Sequence, residues 1–263
     1  MAALSFTVNA GVATLSINNP PQNRLGMELV ASFSAAIQRI STDPAIRVVL
    51  LRGEGPDFCQ GGDFMTWLDI EPQQMAKNIA GGLQLFNAFE QLPVPVVAAV
   101  QGKCMGGGFE FALRADVIVA AESAQFCHTE QSLAVITFLG GVQRVAERAG
   151  KARAMRWALT SERVPAREML AAGVITEVVA DRDLDAAANA WVTRLAKGPT
   201  KSHAGHKQML HAWSSGGIAA ADKLIPEITE RVMNTQDARR GIASAQDAFR
   251  RDVERPILEF EGK

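Results

Sequence analysis

VPVVAAVQGKCMGGGF, residues Val94–Phe109, decides how the chain reads. Its first half is short, apolar and β-branched, the signature of a buried strand. A Gly-rich turn follows at once, and Phe109, Ala112 and Leu113 then resume helical spacing. A similar unit stands upstream, where the β-branched run Ile46–Leu51 leads into Gly53–Asp63, with glycines at 53, 55, 61 and 62. Two buried strands that each feed a glycine loop, with helical patterns between them, argue for a layered α/β core.

The flanks extend this pattern. Leu4, Phe6 and Val8 alternate, turn at Asn9–Gly11 and continue through Val12, Leu15 and Ile17, as a β-hairpin does. Asn18–Asn23 is a breaker-rich loop. Leu29, Phe33, Ala36, Ile37 and Ile40 predict a helix over 27–40. A second helix is expected over 73–91, a third strand over 117–120 and another over 174–179. From about Gly141 onward the pattern is mostly helical and is punctuated by Pro165, Pro199, Pro226 and Pro256.

Composition narrows the classes of function. The 263 residues hold 27 Lys+Arg against 28 Asp+Glu, 48% hydrophobic and 21% charged. That is a globular composition, without the basic excess that nucleic acid or an anionic membrane surface attracts. No apolar run approaches the ~18 residues of a membrane span. The first residues lack the basic and apolar regions of a signal peptide. Three cysteines, Cys59, Cys104 and Cys127, show no metal or disulfide spacing, which favours a reducing, cytoplasmic setting. His203, His206 and His211 share one predicted helix without acidic or thiol partners at ligand spacing, so no metal site is expected.

The glycine loops admit two readings. Gly102 and Gly107 have phosphate-loop spacing, but Gly108-Phe109 stands where Lys-Ser/Thr is needed. Neither loop matches a dinucleotide fingerprint. They are either tight turns or an anion site built from backbone N–H groups, the device that stabilises a developing oxyanion in acyl chemistry. Glu110 is open in the same way: with Arg114 it forms an i,i+4 pair of the kind found on helix surfaces, or it serves chemistry. Cys127-His128 would make a thiol nucleophile only if the adjacent side chains faced each other.

The ordered set of motifs resembles the crotonase, or enoyl-CoA hydratase/isomerase, superfamily over about residues 4–242. The matching stretches are Asn18–Leu25, Ile46–Arg52 with Phe58–Phe64, and Pro95–Gly108 with Glu110 and Asp116. Ala124–Phe126, Glu130, Gly140–Arg144 and Ala166–Val179 continue the match. The resemblance implies a spiral of ββα turns over 1–197 and a C-terminal helical region over 198–263 that assembles a homotrimer or hexamer. It implies an acyl-CoA thioester ligand, with coenzyme A part of the substrate and no further cofactor. It places the oxyanion hole at the N–H groups of Gly62 and Gly107. The catalytic glutamates fall at Glu110, the expected base, and Glu130, the expected proton donor. Asn23, Arg24, Leu25, Gly61, Asp63, Phe64 and Phe138 fall at substrate-binding positions.

Departures from the family pattern are local. Thr137-Phe138-Leu139-Gly140-Gly141 replaces a Pro-Gly-Ala-Gly-Gly run, so Phe138 stands where a glycine helps hold the attacking water. Thr129 replaces a proline, and Ala245 replaces a C-terminal phenylalanine ahead of Arg250, Arg251 and Arg255. The chain has no tyrosine, which excludes members that rely on one. The expected activity is hydration of a 2-enoyl-CoA. The alternatives are a Δ3-Δ2 enoyl-CoA isomerase and a non-catalytic acyl-CoA-binding protein.

Overall fold

The computed structural model describes residues 3–263. Strands β1 (Leu4–Asn9) and β2 (Val12–Ile17) form an antiparallel hairpin. Ala10 and Gly11 turn it with φ of 47° and 79°, the paired positive φ that suits a two-residue hairpin loop. Helix α1 (Met27–Thr42) seats Leu29, Phe33, Ala36, Ile37 and Ile40 in the core. Strand β3 (Val48–Gly53) is followed by helix α2 (Pro72–Glu90). Strands β4 (Val96–Val100) and β5 (Lys103–Met105) lead into the short helix α3 (Gly107–Ala112).

Strands β6 (Val117–Ala121) and β7 (Gln125–Cys127) precede helices α4 (Gly141–Ala149) and α5 (Lys151–Thr160). Strand β8 (Val164–Pro165), helix α6 (Ala166–Ala171), strand β9 (Glu177–Val179) and helix α7 (Leu184–Ala196) complete the core. Helices α8 (Thr200–Asp222), α9 (Ile225–Met233) and α10 (Gln236–Arg251) follow.

The main sheet runs β1-β2-β3-β4-β6-β9, parallel from β2 onward. A smaller sheet runs β5-β7-β8 and is extended by a bridge between Cys59 and Cys104. The turns β4-β5-α3 and β6-β7-α4 each give one strand to the large sheet, one short strand to the small sheet, and then helix, and the β3 turn repeats this with the single bridge at Cys59 before α2. This is the ββα spiral that the sequence implied.

The short strands were not legible in the sequence, because two or three residues give too little alternation to register. The expected strand at Ile46–Leu51 begins at Val48. The expected run from Val94 pairs only from Val96, after Pro93 and Pro95, which have no N–H to donate. Only Glu177–Val179 of the 174–179 run pairs with a neighbour.

Four rings lock the helices that carry the site. Phe33, Phe86, Phe89 and Phe111 contact one another with centroids 4.8 to 5.5 Å apart. Each such pair contributes about 0.5–1.5 kcal/mol beyond burial, and Phe111 is the neighbour of Glu110.

The last residue of the contiguous core is Ala196. The terminal helices are tied to it by polar contacts. Lys207 Nζ donates to Val94 O at 3.1 Å and to Asp116 Oδ2 at 2.6 Å. Arg47 donates to Phe260 O at 2.7 Å, Gly198 O at 2.5 Å and Thr200 Oγ1 at 3.0 Å. Among the described residues no helix is long and apolar enough to cross a membrane.

Candidate active site

Consecutive turns of the spiral meet where Cys59 N donates to Lys103 O and Met105 N donates to Cys59 O, at 3.1 and 2.9 Å. This register carries Gly62 and Gly107 to one spot. A Cβ built on Gly107 would lie 3.4 Å from Gly62 N, and one on Gly61 would lie 3.5 Å from Gly107 N. The flanking bonds, Leu25 N to Gly61 O and Asp63 N to Leu25 O, bypass the Gly62 N–H. Gly107 opens α3, so its N–H has no acceptor within the helix. Two backbone donors therefore stand side by side. Gly106 makes the turn between them and Glu130. It has φ +49°, and a Cβ there would lie 2.7 Å from Thr129 Oγ1 and 3.1 Å from Glu130 Oε1, so only glycine fits.

Glu110 is 2% exposed. Its Oε1 accepts from Leu139 N and Gly141 N, both at 2.8 Å. Burial, and then the nearby Glu130 carboxylate, push its pKa up to about 7 against the pull of those two N–H bonds. Glu130 is 9% exposed at the start of a 3-10 turn, and burial pushes its pKa up to about 7 as well. Its Oε2 is buried and finds no hydrogen-bond partner among the described residues. Two carboxyl groups that share one desolvated pocket titrate as a pair, so one proton between them near neutral pH is the natural state.

The loop that holds Glu110 is braced from behind. Arg114 donates to Glu90 Oε2 at 2.8 Å and to Asn87 Oδ1 at 2.6 Å, and also to Leu139 O. Arg144 donates to Glu90 Oε1 at 2.8 Å and to Gly140 O at 3.0 Å. Glu90 thus fixes two guanidinium groups that grip the carbonyls of the peptides around Glu110's N–H donors. The arginines and those hydrogen bonds hold its carboxyl below the ordinary range despite burial. Of the two readings open for Glu110, the surface pair with Arg114 is the one the structure does not show: both residues are buried, and Arg114 turns to Glu90.

A cleft of about 930 Å³ contains these groups. Of the residues named from sequence, Arg24, Leu25, Gly61, Gly62, Asp63, Phe64, Gly107, Glu110, Glu130 and Phe138 line it. Asn23 does not. Its Nδ2 donates to Glu54 O at 2.8 Å and Asp57 O at 2.9 Å, and its Oδ1 accepts from Asn19 N at 3.0 Å. It staples two loops together, with all its hydrogen-bonding capacity turned inward.

Sequence reasoning missed other lining groups. Trp67 stands 5.6 Å from Phe138 and 6.3 Å from Phe64, ring centre to ring centre, and Arg24 lies 4.5 Å over Phe64. Lys77, Lys103 and Arg163 add positive charge to the walls. A weak local signal for Trp67 existed, an aromatic just beyond a glycine loop, but nothing in spacing aims it at Gly62. A Cβ on Gly62 would lie 2.9 Å from the Trp67 ring.

The Cys127-His128 pair is not a nucleophilic dyad. Cys127 Sγ donates to Ser161 O at 3.1 Å, and burial pushes its thiol up to about 11. His211 Nε2 lies 3.1 Å from Glu90 O, and among the described residues no three His, Cys, Asp or Glu side chains are grouped so as to hold a metal ion. Ala245 and Arg255 border a separate small hollow with Phe260, away from the cleft, and Arg251 pairs with Asp247 on an exposed face.

Paired N–H donors beside two buried carboxyl groups can polarise a carbonyl and move protons on the carbons beside it. The comparisons agree in class. The model of the enoyl-CoA hydratase/isomerase family matches residues 7–249, and the chain belongs to that family. It is 28% identical over 244 residues to a Bacillus subtilis protein described as "Probable enoyl-CoA hydratase", covering 92% of this chain and 95% of that one. It is 29% identical to the Escherichia coli 1,2-epoxyphenylacetyl-CoA isomerase, covering 90% and 92%. The solved structure of a Thermobifida fusca relative in complex with CoA is 26% identical and superposes with a TM-score of 0.79, covering 88% of this chain and 92% of that one.

Proposed function

We propose that this chain is a hydro-lyase that adds water across the double bond of a 2-enoyl-CoA. The carrying observation is that Glu110 and Glu130 line one cleft with the Gly62 and Gly107 N–H groups, with both carboxyl pKa values raised toward neutrality. Arg24, Lys77, Lys103 and Arg163 supply charge complementary to the phosphates of the CoA moiety.

The thioester oxygen sits between the two N–H groups, which draw electron density from the conjugated double bond. Glu110, fixed through Oε1, orients a water with its other oxygen and takes the proton as the water oxygen bonds to the β-carbon. The π electrons move onto the thioester oxygen as an enolate. Glu130 delivers its proton to the α-carbon, the enolate collapses, and the product is the 3-hydroxyacyl-CoA. The proton gained by Glu110 and lost by Glu130 is rebalanced within the pair or through solvent. No cofactor beyond the substrate's own CoA enters these steps. The C-terminal helices, with Trp213, Ile218 and Phe249 exposed, are proposed to build a homotrimer or hexamer.

A second reading rests on Phe138, which packs 5.6 Å from Trp67 and by resemblance stands at the position where family hydratases carry a glycine beside the attacking water. Without a held water, Glu130 alone would shuttle a proton between the α- and γ-carbons, as a Δ3-Δ2 enoyl-CoA isomerase. Incubation with crotonyl-CoA in ¹⁸O water separates the two readings. Hydration incorporates ¹⁸O at the β-carbon, and Glu110→Gln and Glu130→Gln each lower the rate about 10²–10⁴-fold. Isomerisation of a 3-enoyl-CoA without incorporation, insensitive to Glu110→Gln, would overturn hydration.

A further inference from the structure

His128 lies in the segment between β7 and the Glu130 turn, is 1% exposed, and is not used by the mechanism above. Both of its ring nitrogens are buried without a hydrogen-bond partner among the described residues. Buried polar atoms are nearly always paired, so an unpaired one calls for an explanation. Here the explanation stands 4.0 Å away: His128 Nδ1 faces Glu130 Oε2, which is itself buried and unpaired. A shift of about 1 Å closes that gap to a hydrogen bond.

The rest of the imidazole is packed in place. Phe109 stacks on one face, with ring centres 4.9 Å apart and a 39° tilt. Gly141 covers the Cε1 edge closely enough that a Cβ there would lie 2.7 Å away, and the same Cβ would lie 2.8 Å from Glu110 Cγ. The ring therefore lies beside the surroundings of both glutamates, with its Nδ1 facing Glu130.

We propose that His128 is a positioning residue for Glu130, donating its Nδ1–H to Glu130 Oε2 and stabilising the carboxylate left when Glu130 has given up its proton. This rests on the reading of Glu130 as the proton donor. The imidazole must be neutral to serve. An imidazolium would hold Glu130 permanently ionised and spoil it as an acid, whereas a neutral ring still offers one N–H. Burial pushes the His128 pKa down to about 4, which keeps it neutral over the working range. The other titratable groups around the pair are Glu110 on α3, which raises the cost of a second negative charge, Cys127 on β7, whose thiol is neutral, and Arg163 on the cleft wall.

The test needs no substrate. Protein labelled with ¹³C at the glutamate carboxyl is titrated by NMR, with the Glu130 signal assigned through Glu130→Gln. His128→Leu, which removes the donor, is expected to raise the Glu130 midpoint by about one pH unit, the size of a lost hydrogen bond to a carboxylate. His128→Gln, which keeps a neutral N–H, is expected to leave it within a few tenths. His128→Phe, stacked on Phe109, serves if the leucine variant does not fold. In turnover, kcat is expected to fall about tenfold in the apolar variants, with KM within twofold, and to recover in His128→Gln. An unchanged Glu130 midpoint in a folded apolar variant overturns the pairing, whatever the activity. Loss of ¹⁸O incorporation by the wild type, with the midpoint shift intact, instead removes the hydratase reading and leaves the pairing supported.

Discussion

Arg114 stands four residues after Glu110, yet its guanidinium bonds Glu90 at 2.8 Å and leaves the Glu110 carboxyl to two backbone N–H groups. Glu90 is thus the hub of a brace two guanidinium groups deep. Glu90→Gln strands Arg114, which is 1% exposed, as an uncompensated buried charge. The expected cost is about 3–5 kcal/mol of stability, read from denaturant unfolding. In protein that remains folded, kcat falls more than KM rises, because the Leu139–Gly141 peptides lose their grip on Glu110.

The buried Glu110–Glu130 pair gives stability a pH signature. Glu130 titrates at about 7 in the folded chain against an ordinary 4.5. The folded state holds the proton more tightly, so this contribution is complete below about pH 4.5 and is lost as pH rises through about 7. Glu130→Gln removes the loss. The variant is expected to be more stable than the wild type at pH 8 by about 3 kcal/mol, read from denaturant unfolding, with the two stability curves converging toward pH 4.5. Parallel curves would contradict the assignment.

Gly141 is a close-approach position. A methyl group there would lie 2.7 Å from His128 Cε1 and 2.8 Å from Glu110 Cγ. Gly141→Ala is expected to lower kcat about 10²-fold by displacing the Glu110 carboxyl, the scale of misplacing a catalytic group by an ångström. CoA binding, measured by calorimetry, should change little.

Asn23→Ala separates binding from architecture. It leaves the carbonyls of Glu54 and Asp57 without their donor, at an expected cost of about 1–3 kcal/mol. KM and kcat of the surviving protein should stay near wild type. A raised KM with unchanged stability would return Asn23 to the substrate.

Phe138→Gly tests the aromatic wall. Removing the ring from beside Trp67 opens space in front of Leu139, whose N–H fixes Glu110. Crotonyl-CoA hydration is expected to rise severalfold if the ring crowds the water.

How much of this was legible in the sequence depended on range. The glycine loops were visible because they are local: a buried strand followed within a few residues by Gly61-Gly62 or Gly106-Gly107-Gly108. The hairpin and α1 declared themselves by periodicity in the same way. Glu110 and Glu130 looked like ordinary surface carboxylates by spacing, and only the ordered family pattern singled them out. Glu90 left no trace, because its role comes from packing α2 against α3 and α4, and no sequence period links positions 90, 114 and 144. Trp67 escaped for the same reason, and His128, read only as a possible partner of Cys127, gave no sign of facing Glu130. Asn23's inward role left no mark in sequence: its loop borders the cleft, but its amide donates to the carbonyls of Glu54 and Asp57.

The donors at Gly62 and Gly107 are main-chain groups, set side by side by the pairing of Cys59 with Cys104. No side-chain replacement other than proline deletes a peptide N–H. Substitutions elsewhere in the cleft wall, such as at Phe138, therefore leave both donors in place, whereas a side chain at Gly62 or Gly106 would strike Trp67 or Thr129. A descendant of this chain could change the cleft walls, or even its paired carboxyl groups, and still present the same two N–H groups side by side.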